Sequence, residues 1–278
     1  MVRLFGPLVG LFFAVALFWS FGNGAYVAMT EEVPETAEEM FHKHPEEVAF
    51  SFDSAMGTFD KRQLQRGFQV YKEVCANCHS LKHVTFRDLA AIGYNEAEVK
   101  AIAKQWPSKA QTFDPKTGDR GERTNLPSDP FPAVYYAGQG VPPDLSLITK
   151  ARHGGPQYVR SLLAGYAEQE GYKNEQGIEL LKKFPDAKTP DGLYFNPYFA
   201  NLNLAMPAPL VSDGQVTYSD GTSASVKQMS TDVSAFLAWT AEPKLDKRKQ
   251  TGWAVLGFLL FATVLAYFAK RNVWSNVH

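Results

Sequence analysis

The chain opens on a nearly unbroken apolar run, Leu4 to Phe21, behind the single cation Arg3. A positive start, an apolar middle and small residues at Gly22, Gly24 and Ala25 read as a secretory signal over 1–25. No clean Ala-x-Ala site stands there, so a retained N-terminal anchor is the alternative. Polar sequence then takes over. Glu31, Glu32, Glu35, Glu38, Glu39, Glu46 and Glu47, broken by Pro34 and Pro45, make 26–50 an acidic linker. Such a run reads as a solvated tether, or more sharply as a patch that attracts a basic soluble partner. His42 and His44 read as exposed on it.

Amphipathic periodicity begins at Asp60. Leu64, Phe68 and Tyr71 share one face of a helix expected over 60–74. Gly67 on that helix is either a tolerated core glycine or the point where a second helix crosses closely. Asn95, with Glu98 three residues on, caps a further helix that turns Val99, Ile102 and Trp106 inward and stops at Pro107. Residues 108–132 show no period and carry turn signals, which predicts an irregular surface excursion. Helices are expected over 142–152 and 156–166, the second with Pro156 in its first turn. Residues 167–200 read as loop, with aromatics clustered at Tyr194, Phe195, Tyr198 and Phe199. A last soluble helix spans 225–242, with Met229 in its apolar stripe.

Trp253 to Ala269 is apolar on every face, and with its flanks predicts a membrane-spanning helix over 251–270. Four cations precede it and two follow. Charge bias alone would place the large domain inside, but that rule is weak for long translocated domains. The expected organisation is a folded domain over 51–245, the span, and a short tail over 271–278.

Composition narrows the class. The 278 residues carry a formal charge of −1, which argues against nucleic acid as a partner. Seventeen prolines and 21 glycines imply many turns and few long helices. That suits a shell folded round a flat cofactor, and equally an ordinary loop-rich domain.

The chemistry sits at Cys75-Ala76-Asn77-Cys78-His79, which holds both cysteines of the chain. Two thiols at this spacing reach the two vinyl groups along one porphyrin edge, and the histidine next in sequence lies under the iron. A zinc site would need further ligands at matching spacing. A thioredoxin-like pair would have no use for His79 and no βαβ pattern surrounds it. Haem c attachment is therefore the reading taken. An electron-transferring iron also needs a sixth ligand. Met29, Met40 and Met56 precede the motif in polar sequence. Met206 lies in Ala205-Met206-Pro207-Ala208-Pro209, where prolines stiffen the loop. His83 and His153 are the alternatives. Arg152 offers a bidentate partner for a haem propionate and Tyr158 a hydroxyl.

The stretches GFQVYKEVCANCHSLK, PPDLSLITKARHGGPQYVRSLLAGY, GLYFNPYF, AMPAPL and DVSAFLAWTAEPKLDKRKQTG together resemble the cytochrome c1 family, from about residue 50 to 274. The resemblance implies a mainly α fold: a class I cytochrome c-like haem domain with long loop insertions, plus a C-terminal transmembrane helix. It implies Cys75 and Cys78 as thioether sites, His79 and Met206 as axial ligands, and Pro143, Arg152, Tyr158 and Phe199 as haem-pocket residues. Some bacterial members carry a disulfide before the ligand methionine; this chain lacks it, so packing alone is expected to hold that loop. The implied role is electron transfer within a dimeric, multi-subunit ubiquinol–cytochrome c reductase, with cytochrome b and membrane lipid as neighbours. The Rieske iron–sulfur protein is the implied donor and cytochrome c the acceptor. The chain would bind no quinol itself, and its haem domain would face the bacterial periplasm. A free-standing membrane-anchored carrier and an open-coordinate haem sensor are the competing functions.

Overall fold

The computed structural model describes residues 2–30, 35–132, 134, 136 and 140–275. The contacts divide the chain into Met1–Met40 and Phe41–His278. In the first unit, α1 (Val2–Thr30) runs five residues beyond the expected signal. Its Leu4–Thr30 stretch is long and apolar enough to cross a membrane. Glu31, Glu32 and Pro34 of the acidic stretch lie outside the described residues. The short α2 (Ala37–Phe41) begins in this unit.

The second unit is built round one helix crossing. In α3 (Lys61–Glu73) the Asp60 side chain accepts from the Arg62 amide, and Leu64, Phe68 and Tyr71 are buried. The capped helix α4 (Glu96–Gln105) buries Val99 and Ala103 and delivers Trp106 to the core. A Ser225 cap starts α8 (Val226–Ala241), whose Met229, Val233 and Phe236 are wholly buried. Gly67 settles which of its two readings holds. A Cβ there would stand 2.1 Å from the carbonyl oxygen of Asp232 and 2.7 Å from Phe236 Cβ. The backbones of α3 and α8 meet at that point because the residue has no side chain. Arg66, one position earlier, donates from Nε to the buried Asp232 at 2.9 Å and from Nη1 to Asp220 at 2.8 Å. A charge taken out of water is tolerated only with such paired hydrogen bonding. Phe68, Tyr71, Trp106, Phe131 and Phe236 pack round the crossing with ring centroids 4.9–6.4 Å apart.

Several expectations need correction. The stretch 108–132 contains an antiparallel hairpin of β1 (Ala110–Phe113) and β2 (Arg120–Arg123). Its residues are nearly all exposed, so no buried face stamps a period-2 pattern on the sequence. The helix expected over 142–152 is reduced to α5 (Ile148–Ala151), because residues 143–146 hydrogen-bond to residues 79–83 instead. Its partner α6 (Gly155–Ala164) starts at a left-handed Gly154. The 26–50 tether reading fails in part. Residues 26–30 belong to α1, and Phe41 is buried against Tyr172 and Phe184. Lys43 donates its amide to Pro197 O at 2.7 Å, and Glu46 pairs with Arg160. His42 is half-buried and only His44 is exposed.

Between α6 and α8 lie α7 (Leu180–Lys183) and the two-residue strands β3 (Tyr194–Phe195) and β4 (Asn203–Leu204), paired antiparallel. Finally α9 (Leu245–Val273) carries the second stretch long and apolar enough to span a membrane. Its head is fastened to the loop before α3. Lys249 Nζ donates to the carbonyls of Phe52, Ser54 and Gly57, and Asp246 accepts the Phe59 amide.

Candidate cofactor site

Helix α3 aims the chain directly at the Cys75–His79 motif. At its end a single 3-10 turn, Cys75–Asn77, folds the two cysteines onto one side. The amides of Cys78 and His79 both donate to Cys75 O, at 3.1 and 2.9 Å. The buried Tyr71 donates its hydroxyl to His79 O at 2.9 Å, so the helix also grips the far end of the motif. Both thiols are free and half-buried. Burial, with the neighbouring Cys78 second, pushes the Cys75 thiol up to about 12. A thioether formed at this buried position carries no charge to desolvate.

His79 is held by Pro143. Its Nδ1 stands 2.7 Å from the Pro143 carbonyl, an acceptor only, so Nδ1 carries the proton and the lone pair is on Nε2. Burial lowers its pKa, against the opposing pull of the Pro143 carbonyl and Asp144, and favours the neutral ring that a metal requires. Fixing one ring nitrogen on a carbonyl to present the other is how ligating histidines are oriented. The residues present therefore fit a haem attached at the two cysteines and ligated from this face.

Asp144 explains why Pro143 stays in place. Its carboxylate accepts from Ser80 Oγ and the Lys82 amide, both at 2.8 Å, and from the Ser146 amide at 3.0 Å. Burial would raise its pKa, but hydrogen bonds from Ser146, Lys82 and Ser80 hold it below the usual carboxylate value. The Ser146 hydroxyl in turn accepts the His83 amide, and Leu145 donates to Ser80 O. The segment 143–146 is thus laced along 80–83. His83 is consequently turned outward on this lacing and His153 is exposed after α5.

Upstream of Pro143, Gly140 has a left-handed φ of 76°, and a Cβ there would lie 3.9 Å from Ala205 Cβ. One short segment therefore bonds to His79 at one end and passes beside Ala205, the neighbour of Met206, at the other. Met206 is half-buried against the main core, as are Cys75 and Tyr158. Its carbonyl accepts the Tyr166 hydroxyl at 2.9 Å. Tyr158 is half-buried; burial raises its hydroxyl pKa and the charge of Arg152 opposes this. The Arg152 guanidinium is exposed, with Nη1 3.4 Å from Ala151 O. Phe199 is half-buried in the turn after Tyr198, its amide donating to Asn196 O at 3.0 Å. Of the wider aromatic cluster, Phe195 and Tyr198 are buried core and Tyr194 is exposed.

The expectation that packing alone holds the loop before Met206 is too narrow. Asn196 Nδ2 donates to Leu162 O, Thr189 Oγ1 to Asn203 Oδ1, and Gln169 ties both Ala187 and Thr189. From sequence Tyr71 reads only as a core position and Glu46 only as one of the acidic run, and neither Asp144 nor Tyr166 stands out as a site residue. Asp144 stands beside Pro143 in the quoted PPDLS stretch, which was its only signal.

A profile of the Cytochrome C1 family matches residues 50–277. The chain belongs to the cytochrome c1 family. It is 40% identical to the cytochrome c1 of Rhodospirillum rubrum over 245 residues, covering 82% of this chain and 86% of that one. It is 39% identical to the cytochrome c1 of Blastochloris viridis over 255 residues, 84% and 87% of the two chains. It is 44% identical over 247 residues to the cytochrome b/c1 of Bradyrhizobium diazoefficiens, covering 82% of this chain but 35% of that longer protein. Cytochrome c1 carries a covalent c-type haem, and here Cys75 and Cys78 are its attachment cysteines. The fold is the expected one: a mainly α, class I cytochrome c-like domain with long insertions and a C-terminal apolar helix.

Proposed function

We propose that the chain is the haem-bearing electron-transfer subunit of a ubiquinol–cytochrome c reductase. It takes one electron from a Rieske iron–sulfur protein and passes it to a cytochrome c. The observation that carries this reading is His79, fixed on Pro143 O with Nε2 free, directly after two unpaired thiols in a chain matched to the cytochrome c1 family over 50–277. His79, through Nε2, and Met206, through Sδ, would hold the haem iron. A bound haem supplies reversible one-electron chemistry, and a histidine–methionine ligand set keeps its potential high. The residues of this chain orient the imidazole, stiffen the methionine loop and exclude water. Arg152 and Tyr158 serve the propionates, the first as an exposed cation and the second as a half-buried hydroxyl. Pro143 acts through its carbonyl, and Phe199 walls the pocket.

The membrane-bound assembly is supported by the length and composition of α9. Its single pass would leave the haem domain on the periplasmic face, where covalent attachment takes place in bacteria. The name of the Bradyrhizobium relative joins cytochrome b to c1, which favours cytochrome b as the neighbour over a free-standing carrier. The assembly is a dimer of such multi-subunit units in lipid, and quinol binds elsewhere in it. Acid–acetone extraction followed by denaturing electrophoresis tests the attachment. Haem should remain with the polypeptide, and haem passing into the organic phase would refute it.

A further inference from the structure

The strap Phe41–Glu46 lies ahead of the residues matched by the family profile, which begins at residue 50. It nevertheless grips two parts of the haem domain at once. The Glu46 amide donates to Ser161 Oγ at 2.9 Å, and the Glu46 carboxylate accepts from Arg160 Nη1. Both partners belong to α6. The same carboxylate accepts from Tyr198 OH at 3.2 Å, and Lys43 donates to Pro197 O. Those partners belong to the loop that leads through β3 and β4 to Met206.

The C-terminal end of α6 is shaped to receive this loop. A Cβ on Gly165 would stand 2.3 and 2.6 Å from ring carbons of Tyr198. The missing side chain lets the Tyr198 ring lie against the last turn of α6. The next residue, Tyr166, then reaches Met206 O with its hydroxyl. The Tyr166 side chain is half-buried, and burial raises its hydroxyl pKa, so the phenol remains a donor throughout the working pH range.

We infer that Tyr166 and Glu46 are positioning residues for the sixth ligand: Tyr166 fixes the Met206 backbone directly, and Glu46 fixes the helix and loop that present it. The inference rests on Met206 being that ligand. A methionine thioether is a weak donor, and its hold on an iron depends on how little freedom its loop has. Releasing the loop lets an external base compete. A net hydrogen bond changes an equilibrium constant ~5-fold. Loss of the Tyr166 bond should therefore strengthen imidazole binding to the ferric protein by ~5-fold, and loss of the Glu46 clamp by a similar or smaller factor.

The test uses the full complex in membranes or detergent, with Tyr166→Phe, Glu46→Gln and Met206→Leu prepared in parallel. Three readouts apply: imidazole affinity of the ferric haem, the long-wavelength sulfur-to-iron charge-transfer band, and the midpoint potential. Tyr166→Phe and Glu46→Gln should keep covalent haem, bind imidazole more tightly, weaken the band and lower the potential. A purely structural role lowers thermal stability while leaving all three readouts at wild-type values, and that result overturns the inference. If Tyr166→Phe fails to accumulate, Glu46→Gln, which leaves the Tyr166–Met206 hydrogen bond in place, decides alone. Met206→Leu separates the two claims. If it too leaves the band intact, the ligand assignment itself is wrong; if it abolishes the band while the other variants do nothing, only the positioning inference fails.

Discussion

Replacing Gly67 with alanine tests the crossing on which the haem motif rests. In a solvent-exposed helix this substitution stabilises by about 1 kcal/mol, because glycine is the poorer helix former. Here the added methyl would meet Asp232 O at 2.1 Å and Phe236 Cβ at 2.7 Å. Carbon atoms rest at about 3.5 Å or more, so α3 and α8 must part by roughly 1 Å. The first obstacle is backbone, which cannot rotate away as a side-chain tip can. Overpacking of this kind costs about 1–3 kcal/mol, and the rigid contact places it near 3. Set against the helix-forming gain, the net loss is about 2 kcal/mol. For a domain of this size each kcal/mol moves Tm by about 2–4 °C, so a fall of ~4–8 °C is expected. Thermal unfolding of the detergent-solubilised holoprotein, followed by circular dichroism at the Soret band, measures it. Gly252 in α9 has nothing within 4 Å of its virtual Cβ and serves as the control; Gly252→Ala should not lower Tm. A Gly67→Ala protein as stable as wild type, or more so, would refute the close crossing.

Two further outcomes follow from the strap and the acidic stretch. The Arg160 guanidinium holds the Glu46 carboxyl below its usual range, against a smaller opposing effect of burial. A depressed folded-state pKa contributes stability above the ordinary glutamate value of about 4.3 and loses it as pH falls through the lowered one. Amide-exchange protection across 41–46, taken relative to the intrinsic rate at each pH, should therefore be high at neutral pH and fall below about pH 4, with Glu46→Gln poorly protected already at pH 7; equal protection at both pH values would contradict the pair. Changing Glu31, Glu32, Glu35, Glu38, Glu39 and Glu47 to glutamine, with Glu46 kept for its structural pair, should slow association with a basic cytochrome c at low salt. The difference should fade toward ~0.15 M, where the Debye length is about 8 Å; stopped-flow rates that match wild type at low ionic strength would leave these glutamates no steering role.

The helices were legible wherever a buried face repeats at 3.6 residues and a cap marks its start. Asn95 caps as its sequence context predicts, and Asp60 and Ser225 cap the two helices expected to begin at those positions. Leu64, Phe68 and Tyr71 point inward because α8 covers that face. The Cys75–His79 motif was legible because its chemistry is local in sequence. What stayed hidden depends on partners far apart in the chain. Glu46 reads as one more solvated glutamate until Arg160 and Tyr198, more than a hundred residues later, are brought to it. Tyr166 reads as the end of a helix, and only the return of the chain at Met206 gives its hydroxyl an acceptor. The Ala110–Arg123 hairpin was invisible for the opposite reason, since solvent covers both its faces and imposes no alternation.

A redox titration of Met206→His beside the wild-type complex bears most directly on the claim that Met206 and His79 hold an electron-carrying haem. The variant should assemble and keep its covalent haem, since Cys75 and Cys78 are untouched. A nitrogen donor in place of the thioether stabilises the ferric state. Axial ligands move haem potentials over ~0.8 V in all, so a fall of ~0.2 V is expected. At 59 mV per factor of ten for one electron, that opposes reduction by ~10³. Rieske centres reach about +300 mV, so the electron should stall on the iron–sulfur donor and quinol-driven cytochrome c reduction should nearly cease. A midpoint and a turnover both at wild-type values would contradict the account and move the search for the sixth ligand to His153.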